Sequence, residues 1–268
     1  MNRRTSVTAI TLATFVAIFL LMPLIAVVPV SFTPNRYLSI PDGVWSFRHY
    51  QELLENPAWA SGVMLSIRIG IVSATAATAL ALMFSLSIWM LQPRFAPLLF
   101  GIVLLPMVAP PVVSALTLYF FLISLSQVND VVAYDTWMGV ALAHAVIIAP
   151  FAVVLITVAL SQVDRKIDLA ARSMGAGLFS RIVKVILPNI RFGVLTALFL
   201  TFVLSWEEIG VTLFITSVNA VTLPRLMWMG LRDNIDPAIA AVSVVLIAIV
   251  VGVIFAKTII QAVLRGRQ

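Results

Sequence analysis

Long apolar runs alternate with short polar breaks along this 268-residue chain. A helix that crosses a bilayer core needs about 20 consecutive, mostly apolar residues. Six segments meet or nearly meet that length: residues 7–30, 61–91, 96–125, 136–160, 192–215 and 237–257. All are too long for core strands, and their Ala, Leu and Val content suits helices. Arg3 and Arg4 ahead of the first run look like the start of a signal peptide. However, the run holds 24 uncharged residues, and Val28-Pro29-Val30-Ser31 is a poor cleavage site, so it reads as a retained span. The longest polar break, residues 31–58, is punctuated by Pro34, Pro41, Gly43 and Pro57. Within it, Phe47 to Glu55 can form a short helix on the membrane surface. Pro106, Pro110 and Pro111 kink or break the third run.

Composition supports this pattern. Hydrophobic residues make up 62% and charged residues 10%, with a mean hydropathy of +1.10. Soluble domains run near 45–50% apolar and 25% charged. The sequence therefore reads as one transmembrane domain over 1–268, all-α and polytopic, and not as a soluble enzyme or a nucleic-acid-binding module. With no cysteine, a disulfide framework, a thiolate metal site and a cysteine nucleophile are excluded.

The net charge of +6 matters through its placement. With the N-terminus inside, the inner pieces carry Arg3, Arg4, Arg94, Arg165, Lys166, Arg172, Arg181, Lys184, Arg191, Lys257, Arg265 and Arg267, which is 12 of the 17 basic residues. Asp42, Glu52, Glu55, Asp130, Asp135, Asp233 and Asp236 fall outside. The bias predicts six spans with both termini cytoplasmic. Trp45, Trp59, Trp137 and Trp228 mark the outer boundary and Trp89 the inner one.

Catalytic motifs are sparse. There is no GxxxxGK[ST], HExxH or GxSxG pattern. His49 and His144 lie in different compartments and cannot pair on a metal, so no metal site is expected. Glu207 and Glu208 are carboxylates inside a span, which are costly and normally face a pathway or a partner. Adjacent helical residues point about 100° apart, so one lines a path while the other pairs within the bundle. Trp206 beside them can stack on a cation. The alternative is a structural carboxylate pair. His144 reads first as a hydrogen-bonded packing residue and second as a ligand, and Arg68 reads as a boundary anchor.

The segment 161–190 is far longer than a connector needs to be. Asp164 or Asp168 can begin a first short helix whose apolar side is Ile167, Ala170 or Ala171, and Met174. Gly175 and Gly177 end it. Leu178 to Leu187 forms a second, with Phe179, Ile182 and Ile186 on one side and Arg181 and Lys184 on another. Pro188 then sets the start of the fifth span. On pattern alone this is equally a basic amphipathic loop lying on anionic lipid.

Within that segment Ala170-Ala171, three residues, Gly175, nine residues and Val185-Ile186-Leu187-Pro188 resemble the EAA motif of ATP-binding cassette (ABC) importer permeases. Two positions depart from the motif. Leu169 stands at its glutamate, with Asp168 one residue earlier, and Val185 stands at its isoleucine. Leucine accepts no hydrogen bond, so either Asp168 or the partner subunit carries the glutamate's contact. The six-run layout, the long first outer loop and Leu204-Ser-Trp-Glu-Glu-Ile-Gly210 resemble permeases of the spermidine/putrescine type over essentially the whole chain; iron, sulfate and opine permeases share this layout.

The resemblance implies a type I ABC importer permease fold with six transmembrane helices in a bacterial inner membrane. The chain would be a transport subunit, not an enzyme. It would pair with a second, different permease chain, two ATPase subunits and a periplasmic or lipid-anchored binding protein. ATP and Mg would be bound by the ATPase, and no cofactor by this chain. Asp168, Ala170, Ala171, Gly175, Leu187 and Pro188 would form the coupling segment, and Trp206, Glu207, Glu208 and His144 the substrate path. The cargo would be a polyamine or similar organic cation, or else an opine or amino-acid derivative, iron or sulfate. Other classes to weigh are a gradient-driven carrier and an intramembrane enzyme using His144 with Glu207 or Glu208.

Overall fold

The computed structural model describes residues 7–233 and 236–265. Of the charge pattern, Arg3, Arg4 and Arg267 lie outside the described residues, as do the side chains of Asp233 and Arg265. The described elements are all helical. Five helices are long and apolar enough to cross a membrane, or six if one bent pair is a single span. The chain divides into two compact units, Ser61–Leu226 and Met1–Ala60 with Met227–Gln268.

In the first of these units, α3 (Pro57–Leu91), α4 (Ala96–Val108), α5 (Pro111–Leu125), α6 (Trp137–Ser161) and α9 (Leu187–Glu207) form the bundle. Helix α6 is its centre, with Val140, Ala143, His144, Ile148, Ala152, Ile156 and Leu160 all buried. Lipid is as apolar as leucine, so close packing and interhelical hydrogen bonds hold such helices together. Both occur here. A Cβ on Gly193 of α9 would collide with the Ala159 Cβ of α6, so only glycine permits this approach. Across α3 and α9, Ser73 Oγ meets Ser205 Oγ at 2.8 Å and Thr78 Oγ1 meets Thr201 Oγ1 at 3.3 Å. Arg68 is exposed and lies over the Trp137 ring at 3.6 Å.

The 161–190 segment folds as α7 (Arg165–Ser173), α8 (Leu178–Arg181) and a π-turn (Ile182–Ile186) that runs on into α9. Asp164 caps α7, accepting from the Lys166 N–H at 2.9 Å. Gly175 ends it at φ +81°, with the Gly175 N–H on Arg172 O and the Ala176 N–H on Ala171 O. This paired closure needs a left-handed residue, which glycine supplies without strain. Pro188 does not start a new helix, because Leu178–Glu207 is one continuous helix. Proline lacks an N–H and crowds the carbonyl four residues earlier. The π-turn absorbs that defect: the Leu187 N–H reaches back to Ile182 O, and the Asn189 side chain takes Val185 O at 2.7 Å.

In the second unit, α1 (Val7–Val30) buries none of its residues. The segment after it is pinned by an aromatic cluster of Phe32, Trp45, Phe47 and Tyr50 and by a Ser31–Tyr50 hydrogen bond at 2.7 Å. Then come α2 (Arg48–Glu55) and, later, α11 (Leu223–Asp233) and α12 (Ala238–Arg265).

Candidate functional site: two broken helices around one cavity

Two chain breaks face the same cavity, whose volume is about 220 Å³. The first separates α4 from α5, which meet at 98°. Ala109 is extended at ψ 139°, as a residue before proline must be, and Pro110 and Pro111 supply no N–H to continue the ladder.

The second break ends α9. The run expected as a span over 192–215 is helical only to Glu207; Glu208 is extended at ψ 116°, and one turn resumes as α10 (Thr212–Ile215). No proline stands here. The Glu208 carboxylate accepts from the Val211 N–H at 2.7 Å, and the Thr212 hydroxyl donates to Glu208 O at 3.1 Å. These side chains satisfy backbone groups that apolar surroundings would otherwise leave unpaired.

Glu207 and Glu208 both line the cavity, with Pro106, Ala109, Pro111 and Phe151 among their neighbours. This corrects the expectation that the two diverge: the 100° rule holds within a helix, and the helix stops between them. Glu208 is occupied as a cap. Glu207 is exposed and has no hydrogen bond or ion pair among the described residues. Among those residues, no Lys, Arg or His lines the cavity.

Two expected path residues lie elsewhere. Trp206 is half-buried beside Phe202, with ring centroids 6.3 Å apart, and does not line the cavity. His144 is buried, with Nδ1 at 2.9 Å from Ser205 Oγ and Nε2 at 2.8 Å from Thr212 Oγ1. Ser205 precedes the break and Thr212 follows it, so the imidazole ties the two helical pieces together. Its packing role is therefore specific: it braces the joint that presents the glutamates.

One residue counted only as an outer negative charge also matters. Asp135, itself at φ +56°, receives the backbone N–H groups of Ser217, Val218, Asn219 and Ala220. Burial pushes its carboxyl up, but these donors outweigh it and hold its pKa below the ordinary value of 3.8. Arg225 extends the same brace to Thr216 Oγ1 and Ser217 O. The partners lie some 80 positions from Asp135, and no local pattern announces them.

The α7–α8 segment carries a different surface. Asp168 is buried and forms a two-bonded pair with Arg181, Nε to Oδ1 at 2.8 Å and Nη2 to Oδ2 at 2.5 Å. That carboxylate raises the Arg181 pKa above its ordinary value. The inward face of α7 is thus Asp168 and Ala171; of the expected apolar side, Ala171 is buried while Ile167, Ala170 and Met174 are exposed. Phe179 is also exposed, whereas Arg181 is half-buried against Asp168. Leu187 is half-buried and Pro188 exposed.

Residues 77–267 match the family described as binding-protein-dependent transport system inner membrane component. The chain is 28% identical to the putrescine transport system permease protein PotI of Escherichia coli over 87% of its length and 83% of the relative's. It is 24% identical to the E. coli spermidine/putrescine permease PotC over 90% and 89%. A probable molybdenum ABC transporter permease of Haloferax volcanii is 32% identical over 81% and 83%. Among solved structures, a bacterial ABC transporter involved in the import of the acidic polysaccharide alginate has the same fold, with a TM-score of 0.66 at 14% identity, covering 97% of this chain and 98% of that one.

Proposed function

We propose, from the premise that this chain belongs to the family of binding-protein-dependent transport system inner membrane components, that it imports a small organic cation of the polyamine class. It is a multi-pass membrane permease subunit of an ABC importer with the type I permease fold, and the ATPase is a separate subunit.

One observation carries the cation reading: the cavity at the two breaks holds two carboxylates and, among the described residues, no basic side chain. Glu207 is free to meet a charge, and Glu208 is positioned by its own capping bond. A negative, partly apolar cavity favours an alkylammonium over an anion. The putrescine relatives point the same way. The molybdenum relative, at higher identity, keeps an anionic cargo as the competing reading.

Residues 165–188 are the coupling segment, and the segment's side of the membrane, with both termini, is cytoplasmic. The exposed Leu169, Met174, Leu178 and Phe179 form an apolar patch suited to a groove on an ATPase subunit. Asp168 acts within the segment, since its oxygens are taken by Arg181. The ATPase subunit therefore supplies the polar contact that Leu169 is unable to make. A second, different permease chain completes the path, two ATPase subunits bind ATP and Mg, and a binding protein delivers cargo.

The test is ATPase activity of the purified complex with its binding protein, titrated with putrescine, spermidine, amino-acid derivatives, iron, sulfate and molybdate. Stimulation by a polyamine, with KM raised about tenfold or more in Glu207→Gln, is expected. Stimulation by molybdate or sulfate alone, unchanged in Glu207→Gln, refutes the cation reading and leaves the importer standing.

A further inference from the structure

His49 and Glu52 stand one turn apart on α2, at the i and i+3 positions that share a helix face. Asp236 lies just ahead of α12. The nitrogen and carboxylate oxygens of the three come within 4.8 Å of one another. All three belong to the same compact unit.

The state of His49 separates this cluster from an ordinary acidic patch. The side chain is 3% exposed. Its Nε2 lies 3.0 Å from the carbonyl oxygen of Asn35. A carbonyl only accepts, so Nε2 carries a proton and Nδ1 is the ring atom turned toward the carboxylates. That Nδ1 is buried without a hydrogen-bond partner. It faces Glu52 Oε2 at 3.6 Å, a carboxylate that also only accepts. At that distance the two groups make no hydrogen bond, and a cation held between them would join them.

We propose that His49 Nδ1, Glu52 and Asp236 bind a divalent transition metal of the zinc type. Nitrogen with two carboxylates suits such an ion better than Mg²⁺ or Ca²⁺, which prefer oxygen alone. Histidine ligands characteristically donate their other N–H to a carbonyl, which fixes the tautomer, and Asn35 does this here. Asn35 is itself held, its backbone N–H on Thr33 Oγ1 and its side chain on Ser39 Oγ. Asp236 caps α12 through Oδ1 on the Ala238 N–H at 2.9 Å, which leaves Oδ2 for the metal. Tetrahedral ligands stand about 3.3 Å apart around zinc. The His49–Glu52 pair is close to that, and Asp236 closes the rest by a small shift. Arg36 and Arg48 line the same hollow and offset the carboxylate charge. The fourth position is open on their side to water or an anion. The ion would cross-link α2 to the start of α12, and this assignment does not depend on the cargo.

The probe is Co²⁺, titrated into the full-length chain in detergent and followed by its visible absorption. One Co²⁺ per chain with intense four-coordinate bands, displaced by Zn²⁺, is expected. His49→Gln and Asp236→Asn should each weaken binding at least ~100-fold while the helical circular dichroism is unchanged. Asp236→Asn keeps the capping oxygen, so it remains decisive if His49→Gln does not fold. Absent bands in a folded chain, or equal affinity in all variants, overturns the site. A proton on Nδ1 at neutral pH, read from ¹⁵N chemical shifts of the metal-free chain, does so as well, because it would make His49 a plain ion-pair donor to Glu52.

Discussion

The two breaks that face the cavity are made by different means. Between α4 and α5 the interruption is covalent: Pro110 and Pro111 lack the donors a helix needs, and the Pro110 ring holds Ala109 extended. Between α9 and α10 every residue from Ser205 to Thr212 has its N–H, and the helix stops because side chains capture the backbone. Glu208 takes the Val211 N–H, and His144 on a third helix holds Ser205 and Thr212 on either side. A proline break persists whatever surrounds it. A captured break depends on its neighbours, so it is the one that cargo or a partner chain can shift.

Substitutions should separate the two mechanisms, beginning with His144→Leu. It keeps the volume but removes the imidazole bond of two buried hydroxyls, leaving Ser205 only Ser73 and Thr212 only the Glu208 carbonyl, and should cost about 1–3 kcal/mol. Thermal denaturation in detergent would measure it, and a change below ~0.3 kcal/mol would show that the joint does not rely on the imidazole. Glu208→Ala removes the cap and should cost about 1 kcal/mol, with Glu208→Gln recovering most of it through the amide oxygen. Equal losses in both would mean that charge, not the accepting oxygen, matters there. Pro110→Ala should be smaller still, within about 0.5 kcal/mol, and should leave the 98° bend in place because Pro111 remains. Distances between spin labels on α4 and α5 would report a straightened helix if this is wrong.

The smallest effect concerns Asp135 and the loop after α10. Its pKa in the folded chain is depressed, so its contribution is fully present above the ordinary value of 3.8 and is lost as pH falls through the lower folded value. No change in hydrogen exchange at residues 217–220 is expected between pH 5 and 8. Asp135→Asn should raise exchange there at neutral pH. Titration of that loop near pH 6 would assign the clamp to another group.

The helices α1, α3 and α6, the bend at the prolines, the capped start of α7 and the glycine that ends it were all legible. Each rests on a local cause: apolar length, a missing N–H, a short polar cap or a left-handed turn. The direction of α7 was not legible. Its spacing groups Ile167 and Met174 on one side, but only the structure shows Asp168 facing inward, paired with Arg181. Pro188 read as a boundary because proline usually is one, whereas the π-turn before it keeps the helix continuous. Glu207 and Glu208 drew notice as costly carboxylates, but their shared direction follows from a break that no proline marks.

What the sequence determined by itself is therefore a membrane chain with about six apolar runs, a proline-broken third run and a glycine-ended segment before the fifth, because these depend on composition and on neighbouring residues. The tertiary structure alone decided where α9 stops, that His144 braces Ser205 and Thr212, that Asp135 clamps residues 217–220, and that His49, Glu52 and Asp236 converge. Each of those joins groups far apart in the chain, and a hydrogen bond or a ligand set has no signature until folding brings its two ends together.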